Sequence, residues 1–342
     1  MSGDGAGFAR FVAVGDSLTE GMCDPDGPVD ATTLHASSPG PWRGWADRLA
    51  EALAARAAEA GEPFEYANLA VRGKLMPQIV DQQVPAAIAL QPDLVSLIGG
   101  GNDVLRPGAD VDAVAARLEG GVARLRAAGA HVLMATSYDP RLSPLVRRTR
   151  GVAGIFAAHV WTIARRHDAT VIDLWGMRAL QDRRMWAPDR IHLTPEGHAR
   201  VAAHALQALG LEPAPGTPHW DLPLDPAPPR PRSQALHEDA VWMREHVAPW
   251  VARRLQGRSS GDGRPPKRPV PAPVQRGRPA PEAPRAPTGR ASGRDAGPLK
   301  PYCSNRFPAR ARSDSIISST ASSKFDGSSS AGMCSIAAAT LG

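Results

Sequence analysis

Residues 11–21 read FVAVGDSLTEG, and this stretch decides the fold. Its four leading apolar residues are typical of a strand covered on both faces, and Gly15 ends the run. Ser17 then stands where a helix would begin, and a helix amino end offers free N–H groups to developing negative charge. In a parallel sheet this position lies at the carboxyl ends of the strands, where open α/β folds bind ligands. Taken alone, Ser17 is equally well interpreted as a nucleophile or as an ordinary helix cap.

Short apolar runs alternate with amphipathic ones along the next 200 residues. The predicted strands are 11–14, 64–68, 94–98, 131–136 and 170–174, and the predicted helices are 45–59, 76–90, 111–127, 152–166 and 195–209. Thr194 is placed to cap the last helix, with Pro195 at its first position. This alternation predicts an α/β fold: a three-layer α/β/α sandwich around a parallel, flavodoxin-like sheet of five strands.

The chain after this alternation divides into two further segments. We expect a domain at 1–211, followed at 212–256 by a Pro-rich strap and an amphipathic helix that packs on the domain. The predicted stripe of this helix is Leu236, Ala240, Met243, Val247, Trp250, Val251 and Leu255, with a kink at Pro249. Residues 257–342 are rich in Arg, Pro and Ser and lack periodicity. They are therefore predicted to be disordered and dispensable for activity.

Charge and cysteine content narrow the functional classes. Residues 257–342 carry 14 Lys+Arg and 5 Asp+Glu, a net +9, so the whole-chain +6 leaves −3 for residues 1–256. The predicted domain therefore offers no electrostatic case for nucleic acid, although the tail leaves open a basic arm for acidic partners. Cys23 is its only cysteine, and neither a signal peptide nor a membrane span is evident. The expected location is therefore the cytoplasm.

Three further motifs follow predicted strands or precede a predicted helix. Asp189 and His192 are three residues apart before the last helix, a spacing that lets a carboxylate orient an imidazole base. Asn102 follows a run of three glycines after the strand at 94–98, and its amide can donate into an oxyanion hole. Gly73, after the second strand, offers a backbone N–H. A phosphate-cradling loop is the alternative, but no G-x-G-x-x-G or Walker-type lysine follows the glycines, which disfavours dinucleotide binding.

Together these segments resemble the SGNH, or GDSL, hydrolase family, whose named residues Ser, Gly, Asn and His stand in separate blocks. The corresponding residues are Ser17, Gly73, Asn102 and His192 with Asp189, in the family's order over about residues 11–209. The resemblance implies a serine ester hydrolase with Ser17 as nucleophile, His192 as base and Asp189 as the orienting acid. It also implies that Gly73 and Asn102 are oxyanion donors, and that no metal or organic cofactor is needed.

The resemblance leaves the substrate and some alternatives open. The same residues would serve a carbohydrate O-acetylesterase, a lysophospholipase, a thioesterase or an acyltransferase, and a non-catalytic ligand-binding α/β domain is a lower alternative. Many relatives carry Asn where this chain has Thr194, but a helix cap accepts either. Residues 257–261, GRSSG, match the nucleophile elbow G-x-S-x-G. With no strand before them and no helix after them, we interpret this match as coincidence. The expected partner is a small-molecule ester.

Overall fold

A six-stranded sheet forms the centre of the computed structural model, which describes residues 7–30, 34, 42–106, 108–143, 146–214, 217, 219–229, 231–256 and 258–274. The strands are β1 (Arg10–Gly15), β2 (Glu65–Asn68), β3 (Leu94–Ile98), β4 (His131–Ala135), β5 (Thr170–Ile172) and β6 (Arg268–Pro273). Their order is β5-β4-β3-β1-β2-β6, and the first five of these are parallel. The predicted flavodoxin-like sheet, of order 2-1-3-4-5, is therefore confirmed, but a sixth strand is added to it.

Helices cover both faces of the sheet. They are α1 (Ser17–Glu20), α2 (Gly44–Ala60), α3 (Met76–Gln78), α4 (Val84–Ala89), α5 (Gly101–Val104), α6 (Val111–Ala127), α7 (Arg150–His167), α8 (Pro195–Ala208), α9 (Arg232–Trp242) and α10 (Ala248–Leu255). Short 3₁₀ turns lie at Pro140–Leu142, Val146–Thr149, Arg178–Gln181 and Arg183–Met185. None of the helices in the described part of the chain is both long enough and apolar enough to span a bilayer.

The core forms two layers, one on each face of the sheet, and together they bury both faces of β1. Phe11 and Ala13 pack with Trp45 and Leu49 of α2, while Val12 and its neighbours pack on the opposite face against α6 and α7. The four apolar residues at 11–14 are all fully buried. This double burial explains why the run is continuously apolar rather than alternating, and it places β1 at the middle of the sandwich.

Two π-helical turns, Ile79–Gln83 and Met243–Val247, each end two residues before a proline. Pro85 and Pro249 have no backbone N–H to continue the α-helical ladder. The residues that precede them bond one position further back, from Val84 N–H to Ile79 O and from Ala248 N–H to Met243 O. The extra residue in each turn rotates the helix face after it, so a stripe counted at constant α-helical spacing cannot continue through it.

The predicted stripe of the C-terminal helix is therefore wrong in its details. Leu236 is 70% exposed and Met243 is 49% exposed, whereas Trp242, outside the predicted stripe, is only 5% exposed. Val247 is buried as predicted. The side chains of Trp250, Val251 and Leu255 lie outside the described residues.

The strap before this helix lies along α8. The Trp220 ring stacks on His204 with centroids 3.7 Å apart. The Asp221 carboxylate accepts hydrogen bonds from the Arg178 backbone and guanidinium at 2.6 and 2.7 Å. The strap is thus fixed by side-chain contacts rather than by a regular element of its own.

The prediction of disorder from residue 257 onward is wrong for residues 258–274. β6 pairs antiparallel with the edge strand β2, with Tyr66 opposite Ala272. Its prolines stand at every second position, 269, 271 and 273, so the missing N–H groups all belong to one edge. An edge strand tolerates this pattern, and the outer edge is protected against further pairing. The prediction was based on the lack of apolar residues, but pairing of a strand through its backbone needs little apolar surface. Residues 275–342 lie outside the described residues.

Candidate active site

Ser17 is the first residue of α1, at the carboxyl end of β1. The backbone of Gly15 lies close to β3, so that a Cβ added at Gly15 would overlap the Ile98 carbonyl. The Gln83 side-chain amide holds Gly15 from both sides, accepting from its N–H at 2.7 Å and donating to its C=O at 3.0 Å. Asp16 caps α1 by accepting from the Leu18 N–H at 3.2 Å. These contacts fix the backbone that carries Ser17.

Asp189 and His192 form a hydrogen-bonded pair in the loop before α8. His192 Nδ1 lies 2.6 Å from Asp189 Oδ2. The other carboxylate oxygen accepts from the backbone N–H groups of Ile191 and His192, each at 3.0 Å. Asp189 is buried, and its carbonyl accepts from the Trp242 indole N–H at 2.8 Å. The carboxylate is therefore held at each oxygen, and its loop is tied to the C-terminal helix.

The two groups shift each other's ionisation. Burial by itself raises the pKa of Asp189, but the imidazolium of His192 and the backbone donors outweigh it and hold the pKa at about 2. Burial also lowers the pKa of His192, yet the adjacent carboxylate overrides this and keeps the pKa well above its usual value. The pair thus favours a charged carboxylate beside a strongly basic imidazole.

Asn102 lies in α5, which follows the glycine-rich turn after β3. Its Nδ2 donates to Asp16 Oδ2 at 3.3 Å and to the Lys74 carbonyl at 3.1 Å. Burial raises the pKa of Asp16 to about 6. These two bonds provide an acceptor for each amide hydrogen of Asn102. An oxyanion would have to share or replace the longer bond, the one to Asp16.

Gly73 lies in the loop after β2 with a left-handed backbone, φ +74°. A Cβ at this position would overlap Ser259 Oγ, so the C-terminal segment approaches the loop closely enough to require glycine. The neighbouring Arg72 is buried, donates its backbone N–H to Glu20 Oε2 at 2.7 Å and pairs through its guanidinium with the same carboxylate. This buried ion pair links the Gly73 loop to α1, and no sequence pattern predicts it.

All the residues singled out in the sequence surround one space. Ser17, Gly73, Asn102, Asp189 and His192 line a cavity of about 460 Å³, which we call the basic cavity because arginines also line it. Ser17, Asn102 and His192 also line a second space of about 130 Å³, the apolar cavity, walled by Leu105, Val146, Leu180 and Trp186 among others. In the described structure Ser17 and His192 share these cavities but no hydrogen bond joins their side chains. Such bonds are often long before substrate binds.

Cys23 is a further neighbour of the pair. Its buried thiol lies 4.0 Å from Asp189 Oδ2, and the thiol, carboxylate and imidazole atoms are all within 4.8 Å of one another. This is a possible ligand set for a metal ion, but burial raises the pKa of the Cys23 thiol. A thiol that keeps its proton is a poor metal ligand. This contact could not be predicted from sequence, because Cys23 stands in a loop with no strand or helix pattern.

Comparison with known proteins gives one family match and a set of similar structures. The model of the GDSL-like lipase/acylhydrolase family matches residues 13–200. A search of curated proteins found no match. The crystal structure of TesA is 22% identical, covering 59% of this chain and 98% of its own, with a TM-score of 0.44. A variant of Axe2, an acetyl xylan esterase from Geobacillus stearothermophilus, is 21% identical over 60% and 96%, with a TM-score of 0.47. Esterase EstA from Pseudoalteromonas sp. is 16% identical over 59% and 96%, with a TM-score of 0.43.

Proposed function

We propose that this chain, which belongs to the GDSL-like lipase/acylhydrolase family, cleaves a carboxylic ester through a covalent acyl-Ser17 intermediate. The family supports an ester-cleaving hydrolase in general. The observation that carries the serine mechanism is the Asp189–His192 pair, bonded at 2.6 Å beside a cavity that Ser17 also lines. A serine hydroxyl is a weak nucleophile, and an oriented imidazole is the group that activates it.

In the first half-reaction, His192 takes the proton of Ser17 Oγ, and Oγ attacks the ester carbonyl carbon. Because Nδ1 of His192 is bonded to Asp189, the proton passes to Nε2. The C–O bond to the alcohol then breaks, and the imidazolium returns the proton to the leaving alkoxide. In the second half-reaction, water loses a proton to His192 and attacks the acyl carbon. Ser17 Oγ leaves and is reprotonated, which releases the acid.

The charge that develops on the carbonyl oxygen needs donors beside Ser17. In this proposal they are the backbone N–H groups of Ser17 and Gly73 and the amide of Asn102, all on the basic cavity. Asn102 would exchange its 3.3 Å bond with Asp16 for a bond to the oxyanion. Asp16 then acts as the acceptor that holds the amide in place between reaction cycles.

The size of the apolar cavity favours a short acyl group. Its volume of about 130 Å³ is below the roughly 300–1,000 Å³ typical of pockets for drug-sized ligands. An O-acetylesterase is therefore the more specific activity that this cavity supports. Among the described residues that line the two cavities, none favours a thioester or transfer to an acceptor other than water.

Covalent labelling with a fluorophosphonate probe and turnover of p-nitrophenyl acetate test the proposal together. Ser17→Ala should abolish the label and reduce kcat/KM by about 10⁴-fold or more, since the remaining donors cannot replace the nucleophile. Ser259→Ala is the matched control, because Ser259 lines the same cavity and carries the G-x-S-x-G match. Loss of label in Ser259→Ala with retention in Ser17→Ala would overturn the assignment. If the wild type is labelled and both variants keep the label, Ser17 is also excluded as the nucleophile. A wild type that is not labelled would favour a non-catalytic binding domain.

A further inference from the structure

Three arginines from the C-terminal part of the chain line the basic cavity. Arg253 belongs to α10, and Arg258 and Arg264 lie in the segment between α10 and β6. All three are exposed. In the described part of the chain no carboxylate forms an ion pair with any of them. The Arg264 guanidinium donates to the Ser260 carbonyl, at 3.1 Å. The cavity that holds Ser17 therefore has three guanidinium groups available on one side.

The negative groups around this cavity do not neutralise these arginines. The lining includes two carboxylates, Asp189 and Glu245. Asp189 is paired with His192, and Glu245 is 2.9 Å from Arg244, which is not part of the lining. The fourth arginine of the lining, Arg72, is already paired with Glu20. The uncompensated charge of the cavity is thus positive, and it comes from the C-terminal segment.

The backbone that carries these arginines is fixed on the body. The Arg258 N–H donates to the Arg253 carbonyl at 2.9 Å, and the Ser259 N–H donates to Asp262 Oδ2 at 2.7 Å. Gly261 packs so tightly on the Arg72 carbonyl that a Cβ would overlap it. These contacts hold the turn at residues 258–264 against the Gly73 loop, so the backbone positions from which Arg258 and Arg264 reach the cavity are set by the fold.

A second anchor follows the turn. Lys267 Nζ donates to the carbonyls of Glu20 and Arg43 at 2.7 Å and of Trp42 at 3.0 Å, and it pairs with the Asp47 carboxylate. One ammonium group therefore joins the segment to the end of α1 and the start of α2. β6 completes the attachment by pairing with β2.

We propose that Arg253, Arg258 and Arg264 form an anion-binding subsite for the alcohol part of the substrate, which makes the preferred substrate an ester of an anionic alcohol. This inference rests on the proposed function. The acyl group is assigned to the apolar cavity on size and lining, so the alcohol extends into the basic cavity. Guanidinium groups bind carboxylate and phosphate oxygens in bidentate fashion, and both anions fit this chemistry.

Three acetyl esters with closely related phenolic leaving groups test the subsite: 4-acetoxybenzoate, its neutral methyl ester, and 4-acetoxyphenyl phosphate. Each kcat/KM is divided by the hydroxide-catalysed rate constant of the same ester, which corrects for the different leaving groups. In the wild type at low salt, this corrected value should be about tenfold higher for an anionic ester than for the neutral one. The ratio should approach one at high salt, because exposed charges are screened. In Arg258→Ala/Arg264→Ala the ratio should also approach one, whereas Arg165→Ala, an exposed arginine on α7 outside both cavities, should retain the wild-type ratio. A larger ratio for the phosphate than for the carboxylate would show that the subsite prefers phosphate.

Direct binding separates failure of this inference from failure of the proposed function. Calorimetry with 4-hydroxybenzoate, a product that cannot react further, should show binding to the wild type that the double arginine variant loses. Equal kcat/KM for the anionic and neutral esters, without such binding, would overturn the subsite and leave the hydrolase intact. Arginine-dependent binding in a wild type that hydrolyses none of the esters would support the subsite and overturn the hydrolase. Thermal melting of each variant shows whether it is folded.

Discussion

Two regions enclose the basic cavity, and they are held in place by different interactions. The sheet edge carries Ser17, Asn102 and His192, and its strands are fixed by parallel ladders with apolar cores on both faces. The other region, which we call the C-terminal cover, consists of residues 232–256 and 258–274. It is attached by the Trp242 ring, the Gly261 backbone, the Lys267 ammonium and one antiparallel strand pairing.

Under the proposed function, the sheet edge carries the groups that react, and the C-terminal cover carries the groups that select the substrate. The groups that we propose to react depend on a buried core that has many contributors, whereas the charge of the cavity depends on a few polar contacts of the cover. Substitutions at the sheet edge should therefore change the rate with little effect on unfolding. Substitutions in the contacts of the cover should change the free energy of unfolding and the preference for anionic substrates.

Asp189→Asn tests the proposed role of the carboxylate in the reaction, and it has the largest expected effect of these substitutions. We expect kcat to fall by about 10³–10⁴-fold, since an amide neither stabilises the imidazolium nor fixes the correct tautomer. The carboxylate also keeps the pKa of His192 well above its usual value, so its removal lowers that pKa. Because only the neutral imidazole accepts the Ser17 proton, wild-type kcat/KM should rise with pH through an inflection above 6.5, the usual value for histidine. In the variant this inflection should move to lower pH.

The control for this prediction is Asp182→Asn. Asp182 is likewise an aspartate with a lowered pKa and a backbone donor, but its ion-pair partner is Arg184 and it lines neither cavity. The control should keep both the rate and the inflection. An inflection that stays in place in Asp189→Asn would show that Asp189 does not set the basicity of His192.

Most of the sheet edge could be predicted from the sequence, because each of its residues is placed by local rules. A buried parallel strand is continuously apolar, so strands such as 94–98 were delimited correctly, and Pro195 and Thr194 marked the start of α8. Parallel strands all end at one edge, which is why residues as distant in sequence as Ser17 and His192 could be expected at one site. The family resemblance supplied the roles that geometry alone left open.

The cover could not be predicted by the same rules. β6 is rich in proline and has no apolar alternation, and it is stabilised by an edge strand more than 200 residues earlier in the chain. Lys267 gives no sequence signal, because its four acceptors come from two parts of the chain that lie far from it in sequence, Glu20 and residues 42–47. Long-range contacts of single polar side chains leave no periodic pattern. Arg258 and Arg264 were therefore counted only as tail charge, and Arg253 only as part of the C-terminal helix.

Trp242→Ala tests the contact at which the two regions meet. The ring is buried, its N–H bonds to the Asp189 carbonyl, and the Arg190 guanidinium lies 4.7 Å above it. We expect a loss of about 4 kcal/mol in the free energy of unfolding, as for other buried aromatic truncations. Met243→Ala removes the next side chain, which is 49% exposed, and should cost less than about 1 kcal/mol. Urea unfolding measures both, and equal losses would contradict the assigned helix face.

Lys267→Met tests how the cover is attached, and it has the smallest expected effect of these substitutions. The Lys267 and Asp47 side chains are only 19% and 14% exposed, so removing the ammonium leaves a largely buried carboxylate without its closest cation. Breaking such a pair should lower the free energy of unfolding by about 3 kcal/mol. In Arg117→Met the lost pair, with Asp81, is 58% and 57% exposed at 3.6 Å, and the loss should stay below about 1 kcal/mol. Because Lys267 touches none of the reacting groups, Lys267→Met should keep the fluorophosphonate label on Ser17 while its preference for anionic esters falls. Loss of the label in a folded Lys267→Met variant would show that the cover supports the chemistry as well as the selectivity.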